Sequence, residues 1–370
     1  MVGLDYIRIN PTIFIHGVIT MKNDLVLLLA NIDKAKDITD LQLYHQSLSI
    51  ILQKESVELE KIQEIFLLLS KVHDHLMIKA LALAEEEVNQ NGIGIKPNKI
   101  CWYIMGSGAR KEQTVWTDQD NGIMYTYSPQ NKEESNRYVQ YYAKIGTANL
   151  AKIGYPYCPG NVMATNSRWA KEINEWKITM LNHINNYQPD DVRYLLIASD
   201  LRGIYGDKDL ITEARTYFFQ LFRSNPTLLQ RVQEHATNPP VPIGSFGQIF
   251  TERWGKYSGQ LDLKNSIYVQ LVNCVKALAF YADVQEYPTL ERIEKLYEKS
   301  VISEQLKEQI KQSFLVSLYL RLKFSINNKN PDYHIYLKQL DNKEYQSFKK
   351  ALQLAKKLQR YVLKWNGDPK

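Results

Sequence analysis

Residues 100–127 read ICWYIMGSGARKEQTVWTDQDNGIMYTY, and this stretch decides the fold. It opens with an apolar run that ends at Gly106-Ser107 and continues through a polar segment of helical length at residues 108–116. A second apolar run follows Asp118-Gln119-Asp120. Short apolar runs bounded by turn signals are typical of buried strands. The pattern therefore predicts a strand, a Gly-Ser turn, a helix, and a second strand entered through Asp-x-Asp.

The two aspartates of this stretch indicate a metal site. Side chains alternate along a strand, so Asp118 and Asp120 are expected on the same face. Two neighbouring carboxylates repel each other, and the pKa of one must rise unless a cation lies between them. Mg²⁺ is commonly held by one or two carboxylates together with substrate phosphates. We therefore expect Asp118 and Asp120 to bind divalent cations.

The Gly-Ser turn offers what a phosphate needs. Gly106 lets a ligand approach the backbone closely, and Ser107 presents a hydroxyl and an N–H group at a predicted helix N-terminus. Arg110 follows one helical turn later with a forked donor suited to phosphate oxygens. Each feature alone is typical of an ordinary turn or a solvated strand end. Their combination, with ten residues between Ser107 and Asp118, favours a nucleoside triphosphate site.

Gly-Ser, ten residues and then Asp-x-Asp resembles the signature of the DNA polymerase β-type nucleotidyltransferase superfamily. More narrowly, GSGARKEQTVWTDQDNGIMY is similar to a bacterial nucleotidyltransferase family known as a domain of unknown function. Its members are often fused to CBS or cyclic-nucleotide-binding domains and are distant relatives of the PII-protein uridylyltransferase. The resemblance continues through YPYCPGNVMATNSRWAKEINEW, ASDLRGIYGDKDL and LDLKNSIYVQLVNCVKALAFYADVQEYPTLERIEKL, and covers roughly residues 60–365. Ala109 stands where many members have Gly.

The resemblance implies transfer of a nucleoside monophosphate from a nucleoside triphosphate to an acceptor hydroxyl, with release of pyrophosphate and with two Mg²⁺ or Mn²⁺ ions. The superfamily uses a third aspartate on a neighbouring strand. Residues 192–198 are an apolar run that predicts such a strand, and Asp200 follows it. Asp200 is thus expected to complete the metal site with Asp118 and Asp120 and to take the proton of the attacking hydroxyl. A cap on the following turn and a pair with Arg202 are the alternatives.

The C-terminal part of this family is described as a substrate-binding domain, and Asp262-Leu263-Lys264 falls within it. Lys264 is expected to contact the nucleotide, with an ordinary surface pair to Asp262 as the alternative. Apolar residues at helical spacing predict that this part is a helical bundle.

The expected fold class is α+β, in three parts. Residues 1–95 are expected to be mainly helical, with residues 1–20 left open between a tail and an extended arm. Residues 96–212 are expected to form a small mixed-sheet, polymerase-β-like nucleotidyltransferase domain, and residues 213–370 the helical substrate-binding domain.

The three cysteines, Cys101, Cys158 and Cys274, are far apart and odd in number. This usage favours a reducing, cytoplasmic setting without a disulfide framework. Cys158 has no His or Lys near it in the sequence and is interpreted as a packing thiol. No signal peptide and no apolar run long enough to span a membrane are evident.

Composition and charge limit the partners. The chain is 44% hydrophobic and 23% charged, which is typical of globular proteins. With 46 basic and 40 acidic residues the net charge is +6, which suits a phosphate-bearing partner without being the footprint of a nucleic-acid-binding protein. The PII resemblance suggests a protein acceptor. A catalytically silent nucleotide-binding regulator of signal transduction and a nucleic-acid terminal transferase are the rival hypotheses, and the oligomeric state is left open.

Overall fold

The computed structural model describes residues 21–54, 57–186, 188–327 and 332–365. The two alternatives for residues 1–20 lie outside the described residues. Within these ranges the chain is a mixture of many helices and a small mixed sheet, so the predicted α+β fold class is confirmed.

The sheet contains both strands predicted around the Gly-Ser turn. Its strands are β1 (Lys99–Ile104), β2 (Asn121–Thr126), β3 (Ala170–Glu172) and β4 (Arg202–Gly206), in the order β3-β2-β1-β4. β1 is antiparallel to β2 and to β4, whereas β2 and β3 are parallel. β1 and β2 are buried along almost their whole length, which explains their unbroken apolar sequences.

Helices surround this sheet and build the rest of the chain. Those before the sheet are α1 (Met21–Ile32), α2 (Ile38–Gln53) and α3 (Ile62–Asn91). Those between and after its strands are α4 (Gly106–Ala109), α5 (Lys132–Ile153), α6 (Ile173–Asn186), α7 (Pro189–Ala198) and α8 (Asp209–Arg223). The C-terminal part holds α9 (Pro226–Ala236), α10 (Val269–Tyr281), α11 (Thr289–Glu298), α12 (Glu304–Asn327) and α13 (Asn342–Leu363), and a small ribbon of β5 (Leu261–Asp262) and β6 (His334–Ile335).

The strand predicted at residues 192–198 is wrong, because these residues belong to helix α7. Pro189 occupies the first turn of this helix, and Gln188 and Asp191 form a reciprocal capping box there. The buried residues Val192, Leu195 and Leu196 then recur at helical spacing. These signals for the start of a helix are visible in the sequence, and they outweigh the strand preference of the β-branched residues in the run.

The helix predicted at residues 108–116 is also wrong, because α4 ends after a single turn. Lys111 takes a left-handed backbone conformation, with φ of 62°, and the N–H of Glu112 donates back to the Ser107 carbonyl at 2.8 Å. The chain then crosses to Asp118 without regular structure. The short helix leaves Arg110 and Glu112 free to turn toward the C-terminal part of the chain.

Candidate functional site

The Gly-Ser turn and the Asp-x-Asp segment lie side by side at one end of the sheet. The N–H of Met105, at the end of β1, donates to the carbonyl oxygen of Asp120 at 2.9 Å. Ser107 lines the same small cleft as Asp118 and Asp120. The antiparallel pairing of β1 and β2 places them there, because the exit of one strand lies beside the entrance of the other.

The turn requires glycine at its first position. Gly106 has φ of 56°, and a Cβ atom there would lie 2.6 Å from Oδ2 of Asp120. The backbone N–H groups of Gly106, Ser107 and Gly108 donate to no acceptor among the described residues. Unpartnered amides beside a turn attract anions. The turn can therefore hold phosphate through its backbone, although α4 is too short to contribute a sizeable helix dipole.

Asp118 and Asp120 form an acidic pair that lacks basic partners. One oxygen of each carboxylate and the Cys158 sulfur all lie within 4.8 Å of one another. No lysine or arginine among the described residues forms an ion pair with either aspartate, and the Cys158 sulfur lies beside both of them. Burial first, and then the charge of Asp118, raises the pKa of Asp120 to about 7. A divalent cation would relieve this repulsion, and the donor set fits one.

Residues between and beside the two aspartates anchor the loop that carries Cys158. The Gln119 amide donates to the carbonyl oxygens of Thr147 and Tyr155 at 3.0 and 2.9 Å. The Asn121 amide oxygen accepts from the N–H of Ala164 at 2.9 Å. Gln119 and Asn121 thus use their side-chain amides for structural hydrogen bonds, although both residues border the cleft that holds the acidic pair.

Cys158 packs against the hydrophobic core, as its interpretation as a packing thiol expects, but packing is not its only environment. It is only partly buried, and its sulfur adjoins Asp118 and Asp120. Burial, followed by the charge of Asp120, raises the pKa of the Cys158 thiol to about 11. No local sequence signal indicates this contact, because it depends on how the loop after α5 folds back over the start of β2.

The structure does not bring Asp200 to the acidic pair. Asp200 is fully buried, and its Oδ2 accepts from Nζ of Lys276 at 2.7 Å while its Oδ1 accepts from Nη2 of Arg292 at 3.0 Å. Arg110 also donates to Oδ2. Burial alone would raise the pKa of Asp200, but these three cations hold it well below its ordinary value. Asp200 lies between helix α7 and strand β4, and its carboxylate is occupied by these three cations instead of being open to a metal ion.

Arg110 is likewise engaged in a buried network rather than presented to a ligand. It is 7% exposed, and besides its bond to Asp200 it donates from Nε to Glu112 at 2.9 Å and from Nη2 to the Tyr268 hydroxyl at 2.8 Å. Glu112 in turn accepts from the N–H of Thr289 at 2.9 Å. Arg110 therefore ties the residues after the Gly-Ser turn to the C-terminal helices.

Lys264 lies at the edge of the acidic pair. Its N–H donates to Oδ1 of Asp262 at 2.8 Å, which fixes the backbone at the end of β5. The side chain is partly exposed, and its charge lowers the pKa of Asp120 without forming an ion pair with it. The predicted surface pair of Asp262 with the Lys264 ammonium is absent from the described contacts.

Replacing Gly106 by Ala is expected to weaken Mn²⁺ binding at least tenfold, because the new methyl group would displace Asp120. Gly92→Ala is a matched control. Gly92 has φ of 62° and open space around its missing Cβ, so both variants bear a backbone cost of about 1–2 kcal/mol. Mn²⁺ titration by calorimetry separates them, and equal affinities in the two variants would contradict the proposed position of the ion.

Two family sequence profiles match this chain. The profile described as "Putative nucleotidyltransferase DUF294" matches residues 46–190, which include the Gly-Ser turn and the acidic pair. The profile described as "Putative nucleotidyltransferase substrate binding domain" matches residues 226–364, which include Lys264. No curated protein matches the sequence. Within the described ranges, no helix combines the length and apolar character needed to cross a bilayer.

Proposed function

The chain belongs to the nucleotidyltransferase family that these two profiles define, and from that premise we propose that it moves a nucleoside monophosphate from a nucleoside triphosphate to an acceptor hydroxyl, releasing pyrophosphate. One observation carries the proposal. Asp118 and Asp120 hold their carboxylates together, and among the described residues neither has a basic ion-pair partner and the amides of the adjacent turn have no acceptor. Such an arrangement suits Mg²⁺ or Mn²⁺ and a triphosphate.

Each residue of the site has a role in this proposal. Asp118 and Asp120 hold the divalent cations, and the amides of Gly106 and Ser107 hold the terminal phosphates. Lys264 adds positive charge at the rim. When bound, the cations neutralise the triphosphate and activate the acceptor oxygen. Arg110 and Asp200 act at a distance, by fixing the turn against the C-terminal helices.

The acceptor is proposed to be a hydroxyl on a regulatory protein, in keeping with the resemblance to the PII-protein uridylyltransferase. The second profile, described as a substrate binding domain, covers α9–α13 and supports an acceptor-binding role for these helices without naming the class of acceptor. Arg110 donates to the Tyr268 hydroxyl, and Glu112 accepts from the N–H of Thr289. The C-terminal residues therefore contact the segment that follows the turn.

The first test is pyrophosphate release with each of the four ribonucleoside triphosphates, with Mg²⁺ or Mn²⁺, in a cell extract that supplies acceptors. Release with one triphosphate, together with transfer of its α-phosphate label to a protease-sensitive product, is the expected outcome. Label on a nuclease-sensitive product would replace the protein acceptor by a nucleic acid. No release with any triphosphate would overturn the proposed reaction.

A catalytically silent nucleotide-binding regulator is the second candidate, and one observation favours it. The third aspartate that the superfamily uses is not supplied by Asp200, which is neutralised inside the ion-pair network. Under this alternative a triphosphate binds with Mg²⁺ in calorimetry, but no pyrophosphate is released in any extract. The same pair of measurements thus distinguishes an enzyme from a sensor.

A further inference from the structure

Cys158 is a potential metal ligand beside the acidic pair that the proposed reaction does not use. Its sulfur lies within 4.8 Å of an oxygen of Asp118 and an oxygen of Asp120. Neither of the other cysteines resembles it, because Cys101 and Cys274 are fully buried.

The loop that carries Cys158 is fixed at several points. The N–H of Gln119 donates to the Pro156 carbonyl at 3.0 Å, and the N–H of Asn161 donates to the Cys158 carbonyl at 2.9 Å. The N–H of Cys158 itself points to the Met163 sulfur at 3.4 Å. Gln119, which lies between the two aspartates, is thus hydrogen-bonded to the loop that presents the thiol. This bond links the thiol-bearing loop to the two carboxylates.

These three donors can meet on a single ion with little movement. In a tetrahedral zinc site, with Zn–S near 2.3 Å and Zn–O near 2.1 Å, sulfur and oxygen ligands lie about 3.6 Å apart. The present separations of at most 4.8 Å need to contract by only about 1 Å. A side-chain rotation is enough for that.

The chemistry of the donors depends on the ion. Mg²⁺ takes oxygen ligands and keeps its waters, so it leaves a thiol protonated. Zn²⁺, Cd²⁺ and Co²⁺ accept thiolate, and their charge drives the thiol proton into solution on binding. A site of two carboxylates and one thiol therefore discriminates between these two classes of cation.

We propose that Asp118, Asp120 and Cys158 together form a three-ligand site that captures thiophilic divalent cations in place of the ion that the reaction uses. The proposal rests on the proposed function, since it gives Cys158 a role at the same metal site. With Mg²⁺ the thiol stays protonated beside Asp120. With Zn²⁺ or Cd²⁺ it becomes a thiolate ligand, releases one proton, and fills a coordination position that triphosphate oxygens need. Traces of such ions are then inhibitors.

The test is a spectroscopic titration of the full chain with Cd²⁺ and with Co²⁺, in which sulfur-to-metal charge transfer is read as ultraviolet absorption. The wild type is expected to give one thiolate band per chain and to release one proton per ion more than Cys158→Ser does, the excess being the thiol proton. Cys158→Ser is expected to lose the band and to bind Cd²⁺ at least tenfold more weakly. Cys274→Ala is the matched control, because it removes a buried cysteine far along the chain and should keep the band.

Mn²⁺ binding, followed by electron paramagnetic resonance, separates the failure of this proposal from the failure of the proposed function. Mn²⁺ binding without any thiolate band, or a band that survives in Cys158→Ser, would overturn the role of Cys158 and leave the acidic pair as a metal site. Absence of binding by Mn²⁺, Cd²⁺ and Co²⁺ alike would overturn both. Zinc inhibition that is at least tenfold weaker in Cys158→Ser is the expected functional counterpart.

Discussion

Replacing Asp200 by Asn is expected to lower the free energy of unfolding by about 3–5 kcal/mol. The substitution keeps the shape of the side chain but removes the negative charge shared by Arg110, Lys276 and Arg292, whose side chains are no more than 8% exposed. Three buried cations would then face one another, with Glu112 as the anion that remains in the network. Urea unfolding at pH 7 measures the loss.

The pH dependence of this loss has a definite sign. Burial lowers the pKa of Lys276 to about 8, below its ordinary value near 10.4, while Asp200 opposes that shift. Without Asp200 the pKa of Lys276 should fall further. The variant then loses the cost of this buried positive charge as Lys276 is deprotonated with rising pH. The difference in stability between wild type and Asp200→Asn should therefore shrink from pH 7 to pH 9.

Two controls identify the cause. Glu213→Gln removes an exposed carboxylate paired with Lys177 and should cost at most about 1 kcal/mol. Adding Lys276→Met to Asp200→Asn should restore part of the lost stability, because one of the unpaired cations is then gone. If Asp200→Asn proved as stable as the wild type but lost Mn²⁺ affinity, Asp200 would be a metal ligand after all.

The double substitution of Asp118 and Asp120 by Asn is expected to reduce nucleotidyl transfer on the order of 10³-fold or more. Metal-ion stabilisation of a phosphoryl transition state contributes several kcal/mol, and each 1.36 kcal/mol is a factor of ten in rate. Pyrophosphate release with the triphosphate that the wild type accepts measures the loss. Release that persists at the wild-type rate in the double variant would place the metal site elsewhere.

The stability of Asp120→Asn alone should rise, so that an activity loss in this single variant cannot be ascribed to unfolding. The pKa of Asp120 is raised to about 7, so ionising this carboxyl costs folded-state stability as the pH rises from about 4 to 7, and the full cost remains above pH 7. Asp120→Asn removes the cost. In the presence of a chelator, the single variant should therefore unfold at a higher temperature than the wild type at pH 8, with a smaller difference at pH 5.

Local patterns in the sequence were sufficient for the sheet around the site. The apolar runs of β1 and β2 and the glycine of the turn are set by neighbouring residues, and the structure has them. The same local reasoning failed where two signals competed. Residues 192–198 carry apolar residues compatible with a strand, but the capping residues before them select helix α7.

The acidic pair, the turn beside it and the α+β class follow from local sequence, because strand period and turn chemistry act between residues close in the chain. The environments of Asp200 and Cys158, by contrast, depend on the tertiary structure. Asp200 is neutralised by cations 76 and 92 residues further along, and Cys158 reaches Asp120 across a folded loop. Charge pairing and ligand geometry depend on distance in space, which packing of the whole chain sets and no local pattern encodes.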